Sequence, residues 1–254
     1  MKLIIENDAG TAATAAAQLI AEEIGTHDTP VLGLATGRTM EGIYARLAQA
    51  HEQGTLDFSC VTSFNLDEYV GLSAEDPRSY HYYMQDHLFR FVNIDLHRTH
   101  LPDGAATDLD AECAAYEAQI ARSGGIDLQL LGIGDTGHIG FNEPPSSFDT
   151  RTRCVELDEA TREQNAAMFG GDPNAVPHEA LTMGVGTILD ARRLLLVATG
   201  PAKAGIVAKA LEGPITPEVS ASAIRLHKNY VIILDEASAA ELSPATLAHA
   251  QRNA

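Results

Sequence analysis

Short apolar runs alternate with longer amphipathic stretches along almost the whole chain, and glycine or proline marks most of the changes. Residues 2–5, 31–35, 58–64, 126–131, 194–198 and 230–234 read as strands. Residues 9–24, 40–53, 79–91, 107–122 and 159–169 read as helices. A short helix is expected at 187–191, another after Lys203 to about 211, and an alanine-rich helical tail closes the chain. Gly25 is the expected stop of the first helix, and Gly124 and Gly125 that of the segment before them. No internal repeat or long linker interrupts this order. The pattern predicts an α/β fold: a doubly wound, mostly parallel sheet flanked by helices, in one domain over residues 1–254.

Composition narrows the setting. With 254 residues, 45% of them hydrophobic, the chain can bury an ample core. Aromatic residues make up 6% and tryptophan is absent, so that core is mostly aliphatic. A formal charge of −18 repels nucleic acid and anionic membranes, and neither is expected as a partner. Cations inside glycine-rich turns therefore carry more information than cations elsewhere. Cys60, Cys113 and Cys154 lie far apart, as reduced thiols of a cytoplasmic protein would. The start MKLIIENDAG does not resemble a signal peptide, and no stretch has the length of a membrane span. The pairs His81 and His87, and His97 and His100, lack partners at ligand spacing, so no metal is expected.

In open α/β sheets ligands bind beyond the carboxyl ends of the strands. There the chain has unusual sequence: Thr36-Gly37-Arg38-Thr39, then Asn65-Leu66-Asp67-Glu68, then the glycine-rich run LLGIGDTGHIGFNEP at 130–144, then Gly200-Pro201-Ala202-Lys203. In a parallel sheet all four share one rim. The first and last suit phosphate, because a helix start after a glycine turn offers free N–H groups and a positive dipole end. Lys203 is unfavourable in a first helical turn unless an anion binds there. Either turn alone reads equally well as an ordinary capped connection; the pair favours phosphate. Asp67 by itself reads as a turn or cap residue. His138 and Glu143 form an acid/base combination whose glycine-rich loop allows contact without requiring it.

FNLDEYVGL at 64–72, LGIGDTGHIGFNEP at 131–144, LTMGVGTILDA at 181–191 and LHK at 226–228 resemble the glucosamine-6-phosphate deaminase family, over about residues 31–236. The resemblance implies a cyclic 2-amino-2-deoxyhexose 6-phosphate as substrate and no cofactor. His138, assisted by Glu143 and the Thr136 position, would open the ring. Asp67 would move a proton from C2 to C1, and Thr36, Gly37, Arg38, Thr39 and Lys203 would hold the phosphate. Some members are hexamers, so a homo-oligomer is compatible with the resemblance. The related 6-phosphogluconolactonases carry Asp-Glu-Arg and Gly-His-Thr-Ala-Ser where this chain has Asp-Glu-Tyr and Gly-His-Ile-Gly-Phe.

Three positions depart from the family pattern. Thr136 stands where the family has Asp or Asn before Gly-His, with Asp135 one residue earlier. Ala167 stands where many members have a phosphate-binding arginine, and Arg38 replaces a glycine of the phosphate turn. Ser146, Ser147 and Arg153 match an activator site, but Val155 replaces its lysine, so activation by N-acetylglucosamine 6-phosphate is expected to be weak or absent. Other readings are a galactosamine-6-phosphate deaminase and a non-catalytic sugar-phosphate-sensing domain.

Overall fold

The computed structural model describes residues 2–252. In chain order its elements are β1 (Lys2–Glu6), α1 (Ala9–Thr26), β2 (Val31–Leu34), α2 (Arg38–Glu52), β3 (Thr62–Asn65), β4 (Asp67–Tyr69), α3 (Tyr80–His87), β5 (Thr99–His100), α4 (Leu109–Arg122) and β6 (Leu128–Leu131). They continue as β7 (Arg153–Glu156), α5 (Glu159–Asn165), β8 (Glu179–Thr182), α6 (Val185–Leu189), β9 (Arg193–Ala198), α7 (Ala204–Glu212), β10 (Tyr230–Asp235), α8 (Pro244–Leu247) and β11 (Gln251–Arg252).

The main sheet has eight parallel strands in the order β11-β1-β10-β9-β6-β2-β3-β5. VLGL of β2 and LQLL of β6 are buried throughout, as strands covered by helices on both faces must be. From β2 the chain steps outward through β3 to β5. It then returns to β6 on the other side of β2 and proceeds through β9 to β10. The direction of winding thus reverses between β2 and β6, which opens a crevice beyond their carboxyl ends. Gly33 allows these two strands to pair closely: a Cβ there would lie 1.9 Å from Oε1 of Gln129, its partner on β6. A small antiparallel sheet, β4-β8-β7, stands beside the main one.

The expected doubly wound α/β fold is present, with local corrections. The first helix runs through Gly25 to Thr26, because Gly25 does not take the left-handed conformation that ends a helix. The strand expected from residue 58 begins only at Thr62. Before it Phe58 and Val61 close a turn (Val61 N–H to Phe58 O, 3.0 Å), with the Phe58 amide held by Asn93. The helix expected to reach residue 91 stops at His87, where Leu88 leaves helical geometry, and a 3-10 turn follows. The short helix expected at 187–191 lies at Val185–Leu189. The C-terminal tail is helical only at Pro244–Leu247, and the chain then adds β11 to the sheet edge. No described helix is long and apolar enough to cross a membrane.

Candidate active site

The carboxyl ends of β2 and β9 are built alike. After β2 the chain turns at Gly37, whose φ of 111° strongly favours glycine, and α2 starts at the next residue. The Tyr83 hydroxyl donates to Gly37 O at 2.9 Å and the Tyr44 hydroxyl to Ala35 O at 2.5 Å, so both sides of this turn are pinned. After β9, Gly200 has φ of 90°, and its N–H is shared by both carboxylate oxygens of Asp235 at 3.0 Å. A 3-10 turn, Pro201–Lys203, then leads into α7. Lys203 Nζ donates to Asp135 Oδ1 at 2.5 Å. Arg38 is exposed and forms no ion pair among the described residues.

Beyond β6 the chain folds back on itself. Gly134 N–H donates to His138 O at 2.9 Å and Gly137 N–H to Gly134 O at 3.0 Å. The imidazole of His138 is buried, and its Nδ1 lies 2.8 Å from Thr136 Oγ1. Burial first, and then the nearby Lys203 charge, lower its pKa to about 4, with Asp135 and Asp158 acting in the opposite direction. The ring is therefore neutral at physiological pH. Ser220 buttresses this loop, accepting from Ile139 N–H at 3.2 Å and donating to Asn142 O at 2.8 Å.

Asp67 sits where the chain leaves one sheet for the other. Leu66 still bonds to β2 through Leu34 O, and Asp67 opens β4. Its carboxylate is buried, accepts no hydrogen bond among the described residues, and lies next to the Gly140 backbone. Burial, with a smaller contribution from neighbouring Glu68, pushes its pKa up to about 8. Glu68 is also buried, and its carboxylate accepts the N–H groups of Tyr69 (2.8 Å), Tyr80 (3.0 Å) and His81 (2.9 Å). It thereby ties β4 to the N-terminus of α3, the helix that carries Tyr83.

One cavity of about 960 Å³ is lined by Thr36, Gly37, Arg38, Thr39, Asp67, His138 and Lys203. Thr136 stands behind the imidazole rather than in the wall. Glu143 needs a correction: no hydrogen bond joins it to His138 among the described residues. The turn through Phe141 and Asn142 (Glu143 N–H to Phe141 O, 3.0 Å) directs its side chain elsewhere. There its Oε2 accepts the Asp158 N–H at 2.8 Å, and the residue lines a second cavity of about 230 Å³ with Ser146, Arg153 and Val155. Burial raises its pKa.

The sequence model of the family described as glucosamine-6-phosphate isomerases/6-phosphogluconolactonase matches residues 6–233. The chain belongs to this family. Family relatives named glucosamine-6-phosphate deaminase include one from Shewanella loihica, 47% identical over 96% of this chain and 90% of its own. One from Bacillus subtilis is 44% identical over 97% and 99%. A solved monomeric glucosamine-6-phosphate deaminase superposes with a TM-score of 0.93 at 44% identity, covering 95% of this chain and 100% of that one. A 6-phosphogluconolactonase from Trypanosoma brucei, with TM-score 0.74 and 21% identity over 95% and 98%, shares the fold.

The position of the family's expected phosphate arginine, Ala167, lines the same cavity as Arg38. Sequence reading gave Tyr80, Tyr82 and Tyr83 no place in the site, and all three line this cavity. It missed Asp235 as the clamp on Gly200. The only local signal was an acidic residue at the end of a buried strand.

Proposed function

We propose that the protein isomerises and deaminates an amino-sugar phosphate, converting glucosamine 6-phosphate and water into fructose 6-phosphate and ammonia. The observation that carries the reading is the opening of a buried, unpaired carboxylate, a neutral imidazole and two glycine-led helix starts into one cavity.

The phosphate lies between the turns at Gly37 and Gly200, against Lys203 and Arg38. Holding this remote group fixes C1 and C2 relative to the reacting side chains. His138 opens the ring: a neutral imidazole has one N–H and one lone pair, so it can take the anomeric proton and return a proton to the ring oxygen. The Thr136 hydroxyl orients the ring through Nδ1. In the open-chain aldehyde, Asp67 removes the C2 proton to give an enolamine and returns a proton to C1. The resulting C2 iminium adds water and releases ammonia, leaving the ketose. A desolvated carboxylate with its pKa pushed up to about 8 is a stronger base, once ionised, than one in water. Glu143 contributes by holding the segment at Asp158, without touching the imidazole.

Ammonium release from glucosamine 6-phosphate and galactosamine 6-phosphate, measured side by side with Asp67→Asn as control, tests the reading. Release from the glucosamine compound, lost in the variant, is expected. Preference for the other epimer would change the substrate. Binding of both without release would make the protein a sensor of sugar phosphates.

A further inference from the structure

The lysine assigned to phosphate already has an anionic partner. Lys203 Nζ contacts Asp135 Oδ1 at 2.5 Å; the lysine side chain is 19% exposed and the aspartate 61%. The residue after Asp135 is Thr136, whose hydroxyl lies 2.8 Å from His138 Nδ1. One ion pair thus spans from the phosphate end of the cavity to the loop that holds the imidazole.

We propose that Asp135 is a positioning residue that couples these two ends: it holds Lys203 in the free protein, and a substrate phosphate that takes the lysine frees the Asp135 carboxylate to act on the Thr136–His138 pair. The proposal rests on the placement of phosphate at Lys203 given above. A phosphate dianion offers more charge and more acceptor oxygens than a carboxylate, and an ion pair with one largely solvated partner is weak enough to be displaced. The charged groups acting on His138 are Lys203 from the start of α7, Asp135 from its own loop and Asp158 from the segment before α5, and Asp67 of β4 lines the same cavity. Lys203 alone opposes protonation of the ring electrostatically. Neutralising it with phosphate, while Asp135 stays nearby, makes the imidazole more basic when substrate is present. The chain has a neutral residue, Thr136, in direct contact with the ring, and its carboxylate one position earlier. Release from the lysine lets that displaced charge reach the ring.

The test uses inorganic phosphate with the wild-type protein and Asp135→Asn, with Asp135→Ser as a second variant. Ring-labelled histidine reports the His138 titration, assigned by its loss in His138→Gln. Saturating phosphate is expected to raise the wild-type His138 midpoint by about one pH unit, and by less in the variants. Calorimetry should show the variants binding phosphate about threefold tighter, because a competitor has gone. In turnover, KM for the sugar phosphate should fall together with kcat, a split that loss of structure would not produce. Phosphate affinity unchanged in both variants, or a His138 midpoint indifferent to phosphate, overturns the coupling. Neither titration needs turnover, so absence of ammonium release would defeat the proposed reaction and leave this inference standing. Failure of the wild type to bind phosphate would defeat both.

Discussion

The imidazole of His138 lies against the backbone of Gly134, so closely that a Cβ at position 134 would sit 2.0 Å from Nε2. Four residues apart in sequence, the two close a loop through Gly134 N–H and His138 O. Gly134→Ala must displace the ring. A displacement of about 1 Å at a reacting group lowers rates on the order of 100-fold. Steady-state ammonium release should show that loss in kcat. KM should change little, because the turns at Gly37 and Gly200 proposed to hold phosphate follow other strands.

Thr136 is the ring's only side-chain hydrogen-bond partner among the described residues. Thr136→Val is expected to lower kcat about tenfold, within the range for removing one neutral hydrogen bond. Thr136→Asp would place a carboxylate beside the ring and favour the imidazolium. Its histidine titration, followed by NMR, should move upward from about 4.

Asp67 gives up stability for its position. Its folded-state pKa of about 8 lies well above the ordinary aspartate value of 3.8. Its favourable contribution is therefore complete below about pH 3.8 and is lost as pH rises toward 8. Asp67→Asn removes a group whose ionisation opposes folding. The variant should lose activity and melt higher than the wild type, with a gap that widens from pH 5 to pH 8 and reaches a few kcal/mol. Thermal melts at the two pH values check both the sign and the trend.

Arg38 and Ala167 line the same cavity. Arg38→Ala should raise KM for the phosphorylated sugar severalfold with a smaller effect on kcat. Adding Ala167→Arg to that variant should restore much of the loss. An unchanged KM in the single variant would remove Arg38 from the phosphate site.

The second cavity has an arginine that is already engaged. Arg153 donates to Asn142 Oδ1 at 2.9 Å and Ser146 Oγ at 3.3 Å, while Ser147 Oγ turns to Asp149 at 2.6 Å. The lining also holds Val155 and the carboxylates Glu143, Glu156 and Asp158 but no lysine to attract an anionic activator. Hyperbolic kinetics, unaffected by N-acetylglucosamine 6-phosphate, are expected. Sigmoidal kinetics relieved by that compound would contradict this.

Much of this molecule was legible in local sequence. Gly37 and Gly200 mark turns that favour positive φ, and apolar runs such as VLGL and LQLL mark strands covered on both faces. Once those strands are parallel, Asp67, His138 and Lys203 must emerge on one rim, so sequence alone determined the fold class and the residues on that rim. It did not determine their pairing. β4, β7 and β8 are short and recognise one another only across long stretches of chain, so no local periodicity announces the small sheet. Glu143 follows the ring histidine closely in sequence, but a turn at Phe141 sends its carboxylate to Asp158 and leaves the imidazole to Thr136. Asp235 and Tyr83 reach the turns at Gly200 and Gly37 from 35 and 46 residues away. Backbone preference acts over a few residues and can be read along the chain. The direction of a side chain, and the burial that moves the pKa values of Asp67 and His138 in opposite directions, exist only after distant strands have come together.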